Sequence, residues 1–141
     1  MKPMGTIRAE IELINAVDLA LERRHYLDRD EVKRIRVKML VDSGAWMMCI
    51  NETIQEVLQL PFVEKRKTFL ANGVAQEFDV VGPIMVKFEN RTATCNAFVL
   101  PSDAEPLLGA IPMEEMDVLI HPSRQELIVN PKHPDGAVLR I

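Results

Sequence analysis

The sequence predicts an all-β, closed and mostly antiparallel fold, on three observations. Apolar and polar residues alternate with a period of two over much of the chain, the pattern of strands with one buried face. Asn72-Gly73 sits between two such runs, and this dipeptide favours a tight hairpin turn. Only two short stretches carry the apolar spacing of a helix. A single domain is expected, because 141 residues match one core of about 100–200 residues.

The elements follow in order. Ile7, Ala9, Ile11 and Leu13 alternate with Arg8, Glu10 and Glu12 and predict the first strand. Val17, Leu19 and Leu21 continue the alternation after Asn15-Ala16, which predicts an N-terminal hairpin. A charged, solvated link follows over 22–33, so hairpin and link together occupy residues 1–34. Ile35, Val37, Met39 and Val41 then alternate with Arg34, Arg36 and Lys38, and this strand runs straight into Asp42-Ser43-Gly44. Asn51 is placed to cap a short helix with the stripe Ile54, Val57 and Leu58, ended by Pro61. Residues 68–78 read as the hairpin around Asn72-Gly73, and strands are expected over 80–88 and 93–100, hinged near Asn90-Arg91. Pro106-Leu107-Leu108-Gly109 precedes a second short helix at 113–119. Leu127-Ile128-Val129 is the last clear strand, and residues 130–141 form an extended tail. Strand, small-residue turn and short helix thus occur twice, around Gly44 and around Gly109.

Charge and composition narrow the function. Seventeen basic and 21 acidic side chains give a net charge of −4, so no nucleic-acid partner is expected, since phosphate binding needs a basic surface. The stretch 22–38 has seven basic and four acidic side chains and reads as a solvated strand edge that discourages edge pairing. The longest run without a charge spans 11 residues, 92–102, too short for the ~20 apolar residues of a membrane span. Met1-Lys2-Pro3-Met4-Gly5-Thr6 has no apolar core of leader length, so a cytoplasmic location and no membrane association are expected. Cys49 and Cys95 lack metal or redox spacing and read as small buried hydrophobes. His25, His121 and His133 share no ligand spacing, and no metal or organic cofactor is expected.

Chemistry converges on Met39-Leu40-Val41-Asp42-Ser43-Gly44-Ala45. A strand this apolar aimed at a carboxylate needs a reason, because buried carboxylates are rare unless paired. Asp, Ser and Gly also favour turns, so the residues alone leave open a surface turn or an active-site loop. Ser43 lacks the Gly-x-Ser-x-Gly frame of a serine nucleophile.

Leu40-Val41-Asp42-Ser43-Gly44-Ala45 resembles the active-site signature of the retroviral-type, or retropepsin-like, aspartic proteases: two apolar residues, Asp, Thr or Ser, Gly, Ala. Thr68-Phe69-Leu70-Ala71-Asn72-Gly73-Val74 lies where that family carries its flap hairpin. Leu107-Leu108-Gly109 is similar to the family's apolar-apolar-Gly element that buttresses the active-site loop, and 113–119 to its single helix. From Ile35 to Val129 the order and spacing resemble one retropepsin subunit. The N-terminal segment and the tail resemble a bacterial branch of small single-domain members.

The resemblance implies a retropepsin-like closed β-barrel subunit with a protease core over 35–129. It implies peptide-bond hydrolysis by two aspartates that share one proton across a bound water. Asp42 is then catalytic. Ser43, Gly44 and Ala45 support its loop, Ser43 by hydrogen bonding across a dimer. Leu70, Ala71, Asn72 and Gly73 close over the substrate, and Leu107, Leu108 and Gly109 buttress the loop from beneath. Only one Asp-[Ser/Thr]-Gly occurs, so the second aspartate comes from a second copy. The implied partners are that copy, as a homodimer, and a peptide or protein substrate. Trp46 stands where many relatives carry a small or acidic residue that meets the substrate backbone. A non-catalytic dimer of the same fold that binds extended peptides or acts as a scaffold is the alternative.

Overall fold

The computed structural model describes residues 6–141. Met1 to Gly5, on which most of the expectation of no apolar leader core rests, lie outside the described residues. The chain is mostly β. It runs β1 (Arg8–Asn15), α1 (Ala16–Arg23), a 3₁₀ turn (Arg29–Glu31), β2 (Arg34–Val41), β3 (Met48–Asn51), α2 (Glu52–Leu58), β4 (Phe62–Phe69), β5 (Ala75–Phe88), β6 (Arg91–Leu100), β7 (Leu107–Leu108), α3 (Ala110–Met116), β8 (Val118–His121) and β9 (Glu126–Val129). Seven strands form one mixed sheet in the order β1-β2-β7-β3-β6-β5-β4. A further β1–β5 pairing makes the hydrogen-bonded order return on itself and leaves β4 as an edge. Strands β8 and β9 form a separate two-stranded unit.

Alternation decides what is buried. In β1, Ile11 and Leu13 are fully buried whereas Arg8 and Glu10 are exposed. Met39 and Val41 of β2, Met48 and Ile50 of β3, and Ile84 and Val86 of β5 join them in the main core, closed by Ile54, Leu58, Leu108 and Met116. Each fully buried Leu or Ile contributes about 1.5–3 kcal/mol. A second cluster gathers Cys49, Phe78, Val80 and Phe98, with the two phenyl rings edge to face at 6.2 Å. Strand β7 covers only Leu40 and Val41 on one side of β2, so Arg34, Arg36 and Lys38 stand exposed on the stretch that β7 leaves open. Among the described residues, no helix is long and apolar enough to cross a membrane.

Four local expectations are corrected. Residues 16–23 are a helix, not the second arm of a hairpin. The Asn15 side chain accepts from the Val17 and Asp18 amides at 3.0 and 3.1 Å, and Ala16, Leu19, Ala20 and Leu21 include strong helix formers. The second helix is α3, Ala110–Met116, three residues earlier at each end than 113–119. Pro112 falls in its first turn, where a missing N–H costs nothing, and Asp117 ends it in the left-handed region at φ 55°. That frees Val118–His121 to form β8. The second arm of the 68–78 hairpin and the run read separately as 80–88 share one strand, β5, with a register irregularity between Val81 and Ile84. At the hairpin tip, Gly73 alone takes positive φ, 82°, while the Gly73 and Leu70 amides donate to Leu70 and Val74 carbonyls. This is a turn with a glycine bulge in place of a two-residue Asn-Gly turn.

Candidate active site

Asp42 is placed by backbone pairing on both sides. Strand β2 delivers it, and β7 lies parallel to β2 with Leu40 opposite Leu107 and Val41 opposite Leu108. The Asp42 amide donates to the Leu108 carbonyl at 3.0 Å, and the Leu40 amide to the Pro106 carbonyl at 3.0 Å. Strand β7 also pairs with β3 through Leu107 and Cys49. The loop joining β2 to β3 therefore bends across the end of β7, with Asp42 at its start.

The loop is held from its own chain and from α3. The Gly44 amide donates to Asp42 Oδ1 at 3.0 Å, and the Ala45 amide to the Asp42 carbonyl at 3.1 Å. The first amides of α3, Ala110 and Ile111, donate to the carbonyls of Ala45 and Trp46 at 2.8 and 3.1 Å. Those amides have no partner within the helix, so the loop caps the helix and the helix fixes the loop. Gly109 makes the close approach feasible, because a side chain there would overlap the Met47 carbonyl.

A cleft of about 600 Å³ opens above Asp42. Its floor and walls come from Asp42, Gly44, Ala45, Trp46, Met47 and Cys49 on one side, and from Thr68, Phe69, Leu70 and Ala71 of the β4–β5 hairpin on the other. Phe78, Phe98, Leu100 and Leu107 complete it. Asp42 is half-buried and is the one carboxylate in this lining among the described residues. Burial pushes the Cys49 thiol up to about 11, and the nearby Asp42 carboxylate adds to the effect. Trp46 is 74 % exposed, so it projects to solvent and does not fill the cleft.

The sequence-predicted residues divide in a definite way. Asp42, Gly44, Ala45, Leu70, Ala71 and Leu107 meet in the cleft. Ser43 is exposed, and Asn72 and Gly73 form the hairpin tip; all three stand outside the lining. Leu108 and Gly109 are buried and also outside it, beneath the loop that Asp42 begins. Sequence reasoning placed Thr68 and Phe69 in the flap hairpin without naming them as site residues, and it missed Cys49, Phe78, Phe98 and Leu100 as cleft residues. For Phe78, alternation with Val80 was the available signal, but it identifies only a buried face and not a cleft.

A separate hollow of about 670 Å³ is lined by Glu52, Glu56, Phe62 and Asp79, among others, and holds none of the predicted site residues. Among the described residues, no three His, Cys, Asp or Glu side chains gather as a metal-binding group. No protein-family model matches the chain, and no curated protein matches it.

Proposed function

We propose that the chain is one half of a retropepsin-like aspartic endopeptidase that works as a homodimer. The observation that carries this reading is the Asp42 carboxylate, the one charged group among the described residues that line the cleft beneath a hairpin. Hydrolysis by carboxylates needs two with different protonation, and this chain supplies one. An isologous twofold axis beside Asp42 brings the second from the other copy. The sheet whose pairings return from β5 to β1 is, in this reading, the closed barrel of the subunit. Exposed Val138, Leu139 and Ile141 in the tail offer apolar surface for the second copy to cover.

The chemistry follows from proximity. Two adjacent carboxyls do not both ionise readily, so the pair holds one proton between them. The ionised carboxylate takes a proton from water while the protonated one donates to the scissile carbonyl oxygen. The hydroxide equivalent adds to the carbonyl carbon, and collapse of the tetrahedral adduct passes a proton to the leaving amine. The Gly44 amide on Asp42 Oδ1 fixes the carboxylate's orientation. The β4–β5 hairpin excludes water and holds the peptide extended below it.

The test is digestion of a peptide library from acid to neutral pH by the wild type and by Asp42→Asn, with the oligomeric state of both measured. The reading expects cleavage by a wild-type dimer and none by a folded Asp42→Asn dimer. Equal cleavage by both proteins refutes it, and so does a wild type that cleaves nothing across the pH range.

A further inference from the structure

A notch between helix α1 and the outer face of the sheet gathers charge that the Asp42 chemistry does not use. Its volume is about 330 Å³, at the small end of ligand pockets. Helix α1 lies against β1 and β5. Leu13 and Val86 belong to the main core, so their chain neighbours Ile14 and Met85 point outward. With Leu19 of the helix they give the notch an apolar floor.

Arginines ring that floor. Arg34 of β2 stands directly opposite Ile14, and Ile14 stands opposite Met85 on its other side. Arg23 ends α1 and Arg29 opens the 3₁₀ turn, and all three arginines line the notch. Each is exposed, and none takes part in an ion pair among the described residues. Further along the same face, Glu12 stands opposite both Arg36 and Lys87, and Glu10 opposite Lys38. Opposed unlike charges on one face of a sheet offset each other. Of the carboxylates lining the notch, that leaves Glu22 to face three arginines, since Asp30 lines only an adjoining hollow with Arg29 and Arg34. The positive surplus is therefore local to the notch and does not run as a stripe along β2. An arginine fork matches the oxygens of a phosphate, and its flat, weakly hydrated ion tolerates apolar neighbours. A stripe of cations would suit a nucleic-acid strand, whereas a notch with an apolar floor suits a small molecule.

We propose that the notch binds a small phosphorylated molecule, its apolar body on Ile14, Leu19 and Met85 and its phosphate among Arg23, Arg29 and Arg34. The notch shares no lining residue with the Asp42 cleft, so this site stands or falls independently of the protease reading.

Three probes separate the two halves of the site. Naphthyl phosphate carries both parts, naphthol only the apolar body, and inorganic phosphate only the charge. Each is titrated into the isotope-labelled full chain at low salt, and binding is read from amide chemical shifts. Naphthyl phosphate is expected to bind about tenfold more tightly than either part alone, with its largest shifts between Ile14 and Arg34. Arg29→Ala and Arg34→Ala each weaken it about fivefold, the effect of one exposed ion pair. Lys38→Ala, whose charge lies outside the notch, leaves it unchanged. A uridine hexanucleotide tests the alternative of a phosphate stripe. No binding of naphthyl phosphate, binding no tighter than that of inorganic phosphate, or unchanged binding in both arginine variants overturns the proposal. So does a hexanucleotide that binds more tightly than naphthyl phosphate and is weakened as much by Lys38→Ala as by Arg34→Ala, which would make β2 a nucleic-acid surface instead.

Discussion

Gly109 and Met47 are in contact through backbone alone: a Cβ built on Gly109 would overlap the Met47 carbonyl oxygen, 2.8 Å from its carbon, and approach the Ala45 oxygen at 2.9 Å. Carbonyls in that loop also accept the first amides of α3, so loop and helix are spaced by hydrogen bonds that cannot lengthen freely. The glycine is there because its neighbour is backbone, which cannot rotate away as a side chain can.

Gly109→Ala is therefore expected to destabilise the fold by about 1–3 kcal/mol, the range for forcing an added carbon into a packed site. Urea unfolding of the variant measures it through the midpoint at unchanged slope. A midpoint equal to that of the wild type would show that the loop yields without cost.

Asn15 is the second joint. It is 3 % exposed, caps α1 through Oδ1, and donates from Nδ2 to the Leu58 carbonyl of α2 at 2.8 Å. Asn15→Ala removes a cap worth about 1 kcal/mol and leaves a buried carbonyl unpaired at about 1–3 kcal/mol. A loss of about 2–4 kcal/mol is expected, read from urea unfolding together with reduced helical circular dichroism. A loss below 1 kcal/mol would mean that water replaces both sets of bonds.

Asn15 also marks where the sequence was legible and where it was not. Period-two patterns set β1 and β2 correctly, and Asn51 was readable as a helix cap, its side chain accepting from the Ile54 amide at 2.8 Å. Val17, Leu19 and Leu21 follow the same period, yet Val17 and Leu21 remain exposed at 36 % in a helix. Alternation reports a buried face only where that face is buried, and here the Asn15 cap overrides it. The loop bearing Asp42 was legible because its residues are contiguous in the chain. Phe78 and Phe98 join the cleft through strand pairings between segments apart in the chain, which no local pattern encodes.

The tail has a pH-dependent anchor. Asp117 accepts from Asn130 Nδ2 at 3.0 Å and from the Val138 amide at 3.1 Å, and it meets His133 Nδ1 at 2.7 Å. These bonds, the Asn130 one first, hold its carboxyl down at about 2 from an ordinary 3.8. A lowered value stabilises the folded tail fully above the unfolded pKa, and that stabilisation is lost as pH falls from about 4 through 2. The Val138 amide resonance is expected to titrate in this window, and Asp117→Asn to abolish the titration. A Val138 shift that moves equally in Asp117→Asn would assign the effect to another group.

Gly44 separates stability from function where Gly109 couples them. A Cβ on Gly44 would lie 3.2 Å from Asp42 Oδ1, a side-chain atom that relieves the contact by a few tenths of an ångström of rotation. Its φ is outside the left-handed region, so alanine adds no backbone strain there. Gly44→Ala should thus change unfolding by no more than about 0.5 kcal/mol. The same small rotation moves the carboxylate that the proposed mechanism aligns with water and with its twin, and misplacement on that scale costs about 10- to 100-fold in rate. The expected result is a wild-type urea midpoint with kcat/KM for peptide cleavage reduced at least tenfold. Full activity at full stability would show that the added Cβ is accommodated without moving the Asp42 carboxylate, whose bond from the residue 44 amide alanine retains.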